Sequence, residues 1–495
     1  MANALTTNQV DVGPRLRSWL MQPLSRSWCV LGWCVATTIF VGIVAVLGGP
    51  AFIDTSESVY GTWAVAHGHM ACAYPPVSLP DYPPIAPVYL LVSGGIAAIT
   101  GIGHTVAFPS AASLGPDCDK GFVVMTRWSG HAGALVPTTW IGCVGWLALM
   151  FGVVAWLRAS GRGRCGWEPA TLIVVACLPP VWMCVQSYFH PQDLVAMGFA
   201  LCAMACARRG SWIGAGILVA LAVLSQQFAL LVAVPLLLLA PASRRISYVV
   251  AALTTGALVV LPLAMLTSGH ALRAITVGTG DNPVPGGAVL SELQLHGASF
   301  VLLTRVAPIA VSVALSWWVA RRLGPAALRP VTLMSVVAVS LSLRLVFEQL
   351  VVAYYFMALA VSLVLLDVVR GHLRRSTVAW LAAVAVVFCF FGGQAFNGVE
   401  WGGYLRRLVP LLIVVPALVV TLLHVLRGGS SRHLVPWLAV AACALLMWIG
   451  HVDTTDHRLV VWLWQVLLVV PGVVLAAGPL YDELRHEDRV ETGMT

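Results

Sequence analysis

Long apolar runs recur along almost the whole of this 495-residue sequence, and they constrain its fold more than any motif does. Hydrophobic residues make up 59% of the chain and charged residues only 10%. Runs of about 18 or more apolar residues indicate helices that cross a membrane. A soluble core has no use for so much apolar sequence, so we predict an all-α polytopic membrane protein.

Arginine clusters between the apolar runs predict which helix ends share one side of the membrane. Lys120 is the only lysine, so arginine supplies nearly all of the 28 basic residues. The positive-inside rule places such clusters in the cytoplasm, which predicts about 12–14 crossings with both termini cytoplasmic, in the plasma (inner) membrane. The clusters are Arg158/Arg162/Arg164, Arg208/Arg209, Arg244/Arg245, Arg321/Arg322/Arg329, Arg370/Arg374/Arg375 and Arg427/Arg432.

The same rule resolves two apolar segments whose course is ambiguous. If residues 85–103 crossed the membrane, the next helix would carry Arg158 to the outside. We therefore expect 85–103 to be an interfacial or re-entrant helix within one long external loop, 50–133.

Residues 212–241 lie between two cytoplasmic clusters and must cross an even number of times. They are predicted to form two short helices, broken at Ser225-Gln226-Gln227 with the break towards the outside, where protein or a watery cavity must cover it.

These assignments divide the chain into four parts. A cytoplasmic N-terminus, 1–27, precedes a transmembrane core over 28–370 that includes the external loop. Additional transmembrane helices are predicted over 371–480, and a cytoplasmic tail over 481–495. Apart from the broken segment 212–241, the individual spans that follow the external loop are predicted at roughly 134–157, 170–188, 193–207, 247–266, 299–320, 330–347, 350–369, 377–393, 404–426, 434–450 and 459–479. Residues 28–49 lack a cleavage pattern of small residues and are predicted to be a retained signal anchor.

Polar and ionisable residues collect at the predicted outer ends of the helices, whereas the cytoplasmic connections carry little besides arginine. Function is therefore predicted on the outer face. Asp54 ends an apolar run, although a solvated helix end or a helix cap explains it equally well. Asp193 follows a proline and has the same alternative as a cap. The other candidates are Glu57, His67 and His69 in the external loop, His190 and Gln192 in the hairpin "YFHPQD", Gln226 and Gln227 in the helix break, and Glu348 in the turn "RLVFEQL".

Two arginines lie inside predicted helices near their outer ends. Arg305 is about six residues into the helix that starts near Ser299, and Arg344 is within four residues of a helix end. A charge at that depth costs a few kcal/mol unless it snorkels, pairs or meets an anion. The two interpretations left open are snorkelling to lipid phosphates and binding of a lipid-linked phosphate that enters sideways from the bilayer.

The cysteines allow one covalent prediction. Most of the 12 lie in apolar runs, where a thiol is a small hydrophobic group. The predicted topology leaves only Cys72 and Cys118 outside, where disulfides persist. A Cys72–Cys118 bridge is therefore predicted, with two free thiols as the alternative.

Several of these stretches together resemble a family. "VYGTWAVAHGHMACAY" followed by "YPPIAPVY" is similar to the first external loop of the polyprenol-phosphate-dependent membrane glycosyltransferases of the GT-C superfamily, in their actinobacterial mannosyltransferase branch. The "HPQD" hairpin and "FEQLVVAYYFMALAV" also resemble this branch, and the likeness covers about 50–370. The matched pattern is an acidic residue after the first helix, a tyrosine, an alanine-rich helix, a glycine-aromatic turn and Tyr-Pro-Pro, here Asp54, Tyr60, Ala64/Ala66, Gly68, Tyr74 and Tyr82-Pro83-Pro84. His67 and His69 stand where the family pattern has ordinary polar residues.

The resemblance implies a GT-C-like helical bundle and an inverting glycosyltransferase. A sugar, mannose before arabinose, would pass from a polyprenyl phosphate to a glycolipid or glycan acceptor on the outer face. Asp54 would take the proton of the acceptor hydroxyl, and Arg305 and Arg344 would hold the donor phosphate. His190, Gln192, Gln226, Gln227 and Glu348 are weaker candidates for the substrate site, and Glu57, Tyr60, His67, His69 and Asp193 are secondary ones. Membrane lipids are expected partners and nucleic acids are not.

Metal dependence is not expected from the sequence. Asp117-Cys118-Asp119 resembles the paired-aspartate metal motif of many glycosyltransferases, and His67 and His69 could ligate zinc with a third partner. Such short patterns recur by chance, so no cofactor is predicted, with a divalent ion as the open alternative.

Two other classes of protein fit part of the sequence. A transporter or flippase of a lipid-linked sugar would explain the many helices and the broken segment, but it predicts polar groups near the bilayer midplane. A lipid-linked polymer ligase or polymerase shares the external chemistry but usually has its large external loop late in the chain. Here the longest loop comes first.

Overall fold

The computed structural model describes residues 53–74, 87–102, 110–115, 118, 120, 132–163, 167–185, 189–272, 288–293, 295, 297–348, 351, 353–391 and 457–491. Most of these residues are helical and none is in a strand, which confirms the all-α prediction for this part of the chain. Five of the described helical stretches are long and apolar enough to cross a membrane: Ile141–Ala159, Ala242–Leu266, Ser299–Leu328, Pro330–Phe347 and Gln465–Glu487. The predicted spans at 28–49, 404–426 and 434–450 lie outside the described residues.

The principal helices, in chain order, are α1 Ile53–Ala66, α2 Pro87–Ile99, α3 Ala132–Ala159, α4 Trp167–Ala176, α5 Pro179–Met183, α6 Pro191–Arg208, α7 Trp212–Val223, α8 Leu230–Leu239, α9 Ala242–Leu266, α10 Ala307–Leu323, α11 Pro330–Phe347, α12 Met357–Arg370, α13 Arg375–Phe391 and α14 His457–Glu491. A short helix, Gly297–Val301, and a π-helical turn, Leu302–Val306, lead into α10. Single 3₁₀ turns lie at Gln227–Ala229, Val289–Leu293, Gly324–Leu328 and Ala353–Phe356.

Prolines set several helix starts. Pro191 and Pro330 each occupy the first turn of a helix, where the missing N–H has no partner to lose. Pro179 and Pro180 likewise occupy the first turn of a helix, α5, and they thereby interrupt residues 170–188, which are predicted as one span. That prediction is wrong, because Leu178 turns extended before the two prolines and α4 and α5 are separate helices.

Helices α3 and α6 approach closely because glycines face each other along their contact. A Cβ on Gly198 would clash with the backbone of Ala148 and Leu149, and a Cβ on Gly152 would clash with the backbone of Gly198. Small residues at such contacts let helix backbones meet at van der Waals distance, the main source of attraction between helices in lipid. This close contact fixes the start of α6 against the core of the bundle.

Helices α7 and α8 diverge from the break at Ser225, Gln226 and Gln227, as the sequence analysis predicts. Gln226 has an extended backbone and the next residues form a 3₁₀ turn. Helix α7 packs on α6 and α9, whereas α8 packs on α10 and α11. The two helices, of 12 and 10 residues, are only about 18 and 15 Å long. Neither helix alone is long enough to cross the hydrocarbon core of a bilayer, which is about 30 Å thick.

One end of the bundle collects the arginines that the sequence analysis places on one side, and we call it the arginine end. Arg162 donates to Val369 O at 2.9 Å, Arg208 donates to Leu328 O at 2.6 Å, and Arg329 lies 2.9 Å from Glu487. Each contact joins segments that are distant in the chain. The break between α7 and α8 points to the opposite end.

The last helix belongs to the same core as the rest. Leu468, Val469, Ala476 and Leu480 of α14 are buried in the main hydrophobic cluster. Asp482 pairs with Arg370, and the helix continues to Glu491. The helix therefore continues without interruption across residues 480 and 481, where the boundary between the last span and the tail is predicted.

The described residues of 50–133, the predicted external loop, form a second small core. Tyr60, Tyr74, Tyr89 and Leu114 are buried in it, together with Val195 of α6. Cys72 and Cys118 form a disulfide, with Cα atoms 5.2 Å apart. The predicted helix within 85–103 is present as α2, and its 13 residues are too few to cross a bilayer. Val88 N at its start donates to Leu224 O, which joins the external loop to the helix break.

Candidate functional site

Four segments bring candidate residues together at the end opposite the arginine end. We call this group the Arg344 cluster. It comprises His190, Gln192 and Asp193 at the start of α6, Gln226 and Gln227 in the helix break, Arg305 in the π-helical turn, and Arg344 and Glu348 at the end of α11.

Asp193 is completely buried, and its carboxylate is stabilised by a hydrogen bond from Gln226 and by the opposite charge of Arg344. Gln226 Nε2 donates to Asp193 Oδ1 at 2.5 Å, and Arg344 Nη1 lies 4.0 Å from Asp193 Oδ2. The first turn of a helix also favours a carboxylate through the helix dipole. The possible role of Asp193 as a cap of α6 is wrong, since His190 occupies the N-cap position and the Asp193 carboxylate turns to Gln226 and Arg344.

Arg344 is held between two carboxylates and two aromatic rings. Its guanidinium lies 3.9 Å from the Tyr355 ring centroid and 5.1 Å from that of Phe228, and its Nε lies 3.9 Å from Glu348 Oε2. Both carboxylate contacts are longer than the roughly 2.7–2.9 Å of a direct charge-assisted hydrogen bond. The stacking therefore fixes the plane of the guanidinium, while its N–H groups keep capacity to donate to a ligand.

A cavity of about 370 Å³ lies against Arg344. Its polar lining includes Gln226, Gln227, Arg305, Arg344 and Glu348, and its apolar lining includes Val223, Phe228, Leu230, Leu231, Pro308 and Ile309. Arg305 stands on the π-helical turn with 40% of its side chain exposed. Such turns inside helices are frequent at functional sites because they re-aim side chains. The cavity thus has two guanidinium groups and one carboxylate beside an apolar wall.

The "HPQD" hairpin contacts the cluster through a ladder of rings. Gln192 and His190 are in hydrogen-bond contact at 2.9 Å, and the His190 ring stacks on Tyr354 with centroids 4.3 Å apart. Tyr354 meets the edge of Tyr355, which in turn lies under Arg344. The hairpin, the 3₁₀ turn Ala353–Phe356 and α11 are therefore positioned together.

Four residues of this site are not among those predicted from the sequence. Tyr354 and Tyr355 follow "FEQLVV" as adjacent tyrosines, which was an available signal at a helix end. Phe228 beside the break carried no signal. Gln465 of α14 donates to Leu345 O and accepts from Val289 N, so it ties the loop before α10 to the helix of Arg344. A single glutamine in a late apolar helix was the signal for it.

The candidates of the external loop lie apart from the cavity lining. Asp54 and Glu57 are in the first turns of α1, and their side chains lie outside the described residues. Tyr60 is fully buried, and this burial raises the pKa of its phenol to about 12, so it stays protonated at neutral pH. His67 is half-buried with Nδ1 2.9 Å from Trp63 O, and His69 is exposed.

Metal ligands do not assemble in the described part of the chain. Among those residues, no group of three or more histidine, cysteine, aspartate or glutamate side chains could hold an ion. Asp117 and Asp119, the paired aspartates of the sequence analysis, lie outside the described residues.

No protein-family model matches the chain, and no curated protein sequence matches it significantly. Fold and site together define a class, which is an α-helical membrane protein with a buried cluster of charges beside a cavity.

Proposed function

We propose that this protein is an inverting glycosyltransferase of the plasma membrane that uses a polyprenyl-phosphate sugar as donor. The sugar, mannose before arabinose, passes to a glycolipid or glycan acceptor at the extracytoplasmic face. The proposal combines the family resemblance of residues 50–370 with the chemistry of the Arg344 cluster.

The observation that carries the proposal is the pairing of two arginines with an apolar wall in one cavity. Arg305 and Arg344 come from different helices and both line it, beside Leu230, Leu231 and Ile309. An amphiphile with an anionic headgroup matches this lining, because guanidinium groups bind phosphate and the apolar residues accept the first part of the lipid chain. A polyprenyl phosphate is such an amphiphile.

The reaction needs one proton acceptor and a stabilised leaving group. The oxygen of the acceptor hydroxyl attacks the anomeric carbon while its proton passes to the carboxylate, for which the family resemblance favours Asp54. The bond between the anomeric carbon and the phosphate oxygen breaks, and the phosphate keeps the electron pair. Arg305 and Arg344 stabilise the charge that grows there. One displacement inverts the anomeric centre, and no second carboxylate is required as nucleophile.

A flippase or transporter of a lipid-linked sugar is the second candidate, and the broken α7–α8 segment favours it. Helices of 12 and 10 residues that meet at a polar break are a feature of substrate sites in transporters. Such a protein would move the donor across the bilayer without changing it chemically.

The test distinguishes transfer of the sugar from movement of the unaltered donor across the membrane. Membranes that contain the protein are given labelled polyprenyl-phosphate mannose and then arabinose, and the lipid products are separated. We expect a labelled product other than the donor, and Asp54→Asn should lower its formation by about 100-fold or more, since the amide cannot accept the proton.

The matched control is Asp482→Asn at the arginine end, where the carboxylate pairs with Arg370 and is largely exposed. It should leave transfer unchanged. Unaltered donor that has moved across the membrane, with no product, would contradict the transferase and support the flippase.

A further inference from the structure

One carboxylate oxygen lies between the two arginines of the cavity. Glu348 Oε2 is 3.9 Å from Arg344 Nε and 4.0 Å from Arg305 Nη1. The Glu348 side chain is only 9% exposed, and it lines the cavity together with both arginines. The same oxygen thus faces two guanidinium groups that come from two different helices.

Two guanidinium groups about 4 Å from one anionic oxygen provide an arrangement that also suits a phosphate oxygen. Any anion that binds there must displace the glutamate or share the site with it. Like charges placed side by side repel each other strongly in a partly desolvated site. Asp193 adds a second negative charge behind Arg344. The two positive charges of the arginines and the two negative charges of Asp193 and Glu348 therefore sum to zero.

We infer that Glu348 occupies the anion position of the cavity and competes with every phosphate that enters it. The inference rests on the proposed function only in taking the ligand to be a phosphate. Because of this competition, a headgroup alone binds weakly. A ligand that also carries a lipid chain gains contacts with Leu230, Leu231 and Ile309, which offset the displacement of the glutamate. A lipid-linked phosphate therefore gains enough binding free energy to displace Glu348, whereas free phosphate does not.

The experiment measures binding without turnover. Purified full-length protein in a neutral detergent is titrated with n-hexyl phosphate and, separately, with inorganic phosphate, and the affinity is obtained from the ligand-induced thermal shift. For the wild type we expect hexyl phosphate to bind and inorganic phosphate to bind far more weakly. In Glu348→Gln, which keeps the shape of the side chain and removes its charge, both ligands should bind at least about tenfold more tightly.

Two further variants serve as controls. Glu348→Asp keeps the charge and should gain no comparable affinity. Glu483→Gln removes a carboxylate that lies 3.3 Å from Arg329 at the arginine end, and it should leave both affinities unchanged. The melting temperature of each variant without ligand shows whether it folds.

Unchanged or weaker binding of either ligand by folded Glu348→Gln would overturn the inference, and so would an equal gain in Glu483→Gln. The transfer assay on the same preparations tells this failure from a failure of the proposed function. Sugar transfer by the wild type without a gain in Glu348→Gln rejects only the inference. A gain in Glu348→Gln with no transfer from any polyprenyl-phosphate sugar rejects only the glycosyltransferase.

Discussion

At the scale of single residues, the site depends on charges that compensate one another away from water. Asp193 has no solvent exposure and Arg344 has 15%, so each depends on the other and on Gln226 and Glu348. Removing one partner of a buried pair leaves an uncompensated charge and typically costs about 3–5 kcal/mol. This cost exceeds that of most substitutions of a polar residue.

Asp193→Asn should therefore destabilise the folded protein by about 2–4 kcal/mol, towards the lower end because Glu348 still faces Arg344. The measurement is denaturant or thermal unfolding in detergent. The double variant Asp193→Asn with Arg344→Gln should recover part of the loss, since the two residues are coupled. Strictly additive effects would show that the two side chains do not depend on each other.

The arginines themselves lead to a kinetic prediction. If Arg305 and Arg344 bind the donor phosphate, Arg305→Gln and Arg344→Gln should raise the KM for the donor by about tenfold or more and leave the KM for the acceptor nearly unchanged. Arg344→Lys should restore only part of the loss, because an ammonium group cannot stack on Tyr355 as a planar guanidinium does. Unchanged donor dependence in both Gln variants would mean that the side chains only snorkel to lipid.

At the scale of helices, the contact between α3 and α6 positions the first turn of α6 and hence Asp193. The glycines Gly152 and Gly198 leave no space for a side chain between the two backbones. A methyl group added there must push the helices apart, and overpacking of this kind typically costs about 1–3 kcal/mol.

Gly198→Ala is therefore expected to lower the melting temperature and to weaken ligand binding at the Arg344 cluster. The matched control is Gly256→Ala in α9, where an added Cβ meets no atom within 4 Å. The control should be neutral or slightly stabilising, because alanine favours a helix over glycine by about 1 kcal/mol. Equal melting temperatures for the two variants would contradict the close packing of α3 on α6.

Sequence patterns predict some of these helices correctly and miss the division of others. The alternation of apolar runs and arginine clusters was sufficient to place α6, α9, α10 and α11 and to predict the break at Gln226, because both features follow from the cost of charge in lipid. The division of 170–188 into α4 and α5 was missed, although Pro179 and Pro180 were visible. The ladder from His190 to Tyr355 could not be predicted, since it joins residues more than 150 positions apart and depends on tertiary packing.

At the scale of the whole molecule, two cores are joined through the start of α6. The larger core holds the long helices, and the smaller one holds α1, α2 and the residues around the disulfide. Val195 belongs to the smaller core and lies two residues from Asp193. The stability of the external loop and the geometry of the site are therefore linked.

The disulfide of the smaller core can be tested by itself. Cys72 and Cys118 are bonded in the structure and close a loop with a sequence separation of 46 residues, which in the chain-entropy model stabilises by about 3–4 kcal/mol. Thiol labelling of the folded protein should modify neither cysteine until a reductant is added. Cys72→Ser should destabilise the protein, whereas Cys177→Ser, which changes an exposed free thiol, should not. Full labelling of both cysteines without reductant would exclude the bridge.

The hydrogen bond from Val88 to Leu224 also has a consequence for the order of biosynthesis. Its two residues are separated by roughly 140 positions, which a ribosome adds in roughly 10–30 s at the usual rates of synthesis. During that interval α2 is complete while the carbonyl on which it docks does not yet exist. Cys72 and Cys118 are both synthesised before α7, so their disulfide can form first. It then holds α2 in position before the segment on which α2 docks has been made. Segment 50–133 would then provide the surface on which the later helices pack, which brings Gln226 and finally Arg344 into position.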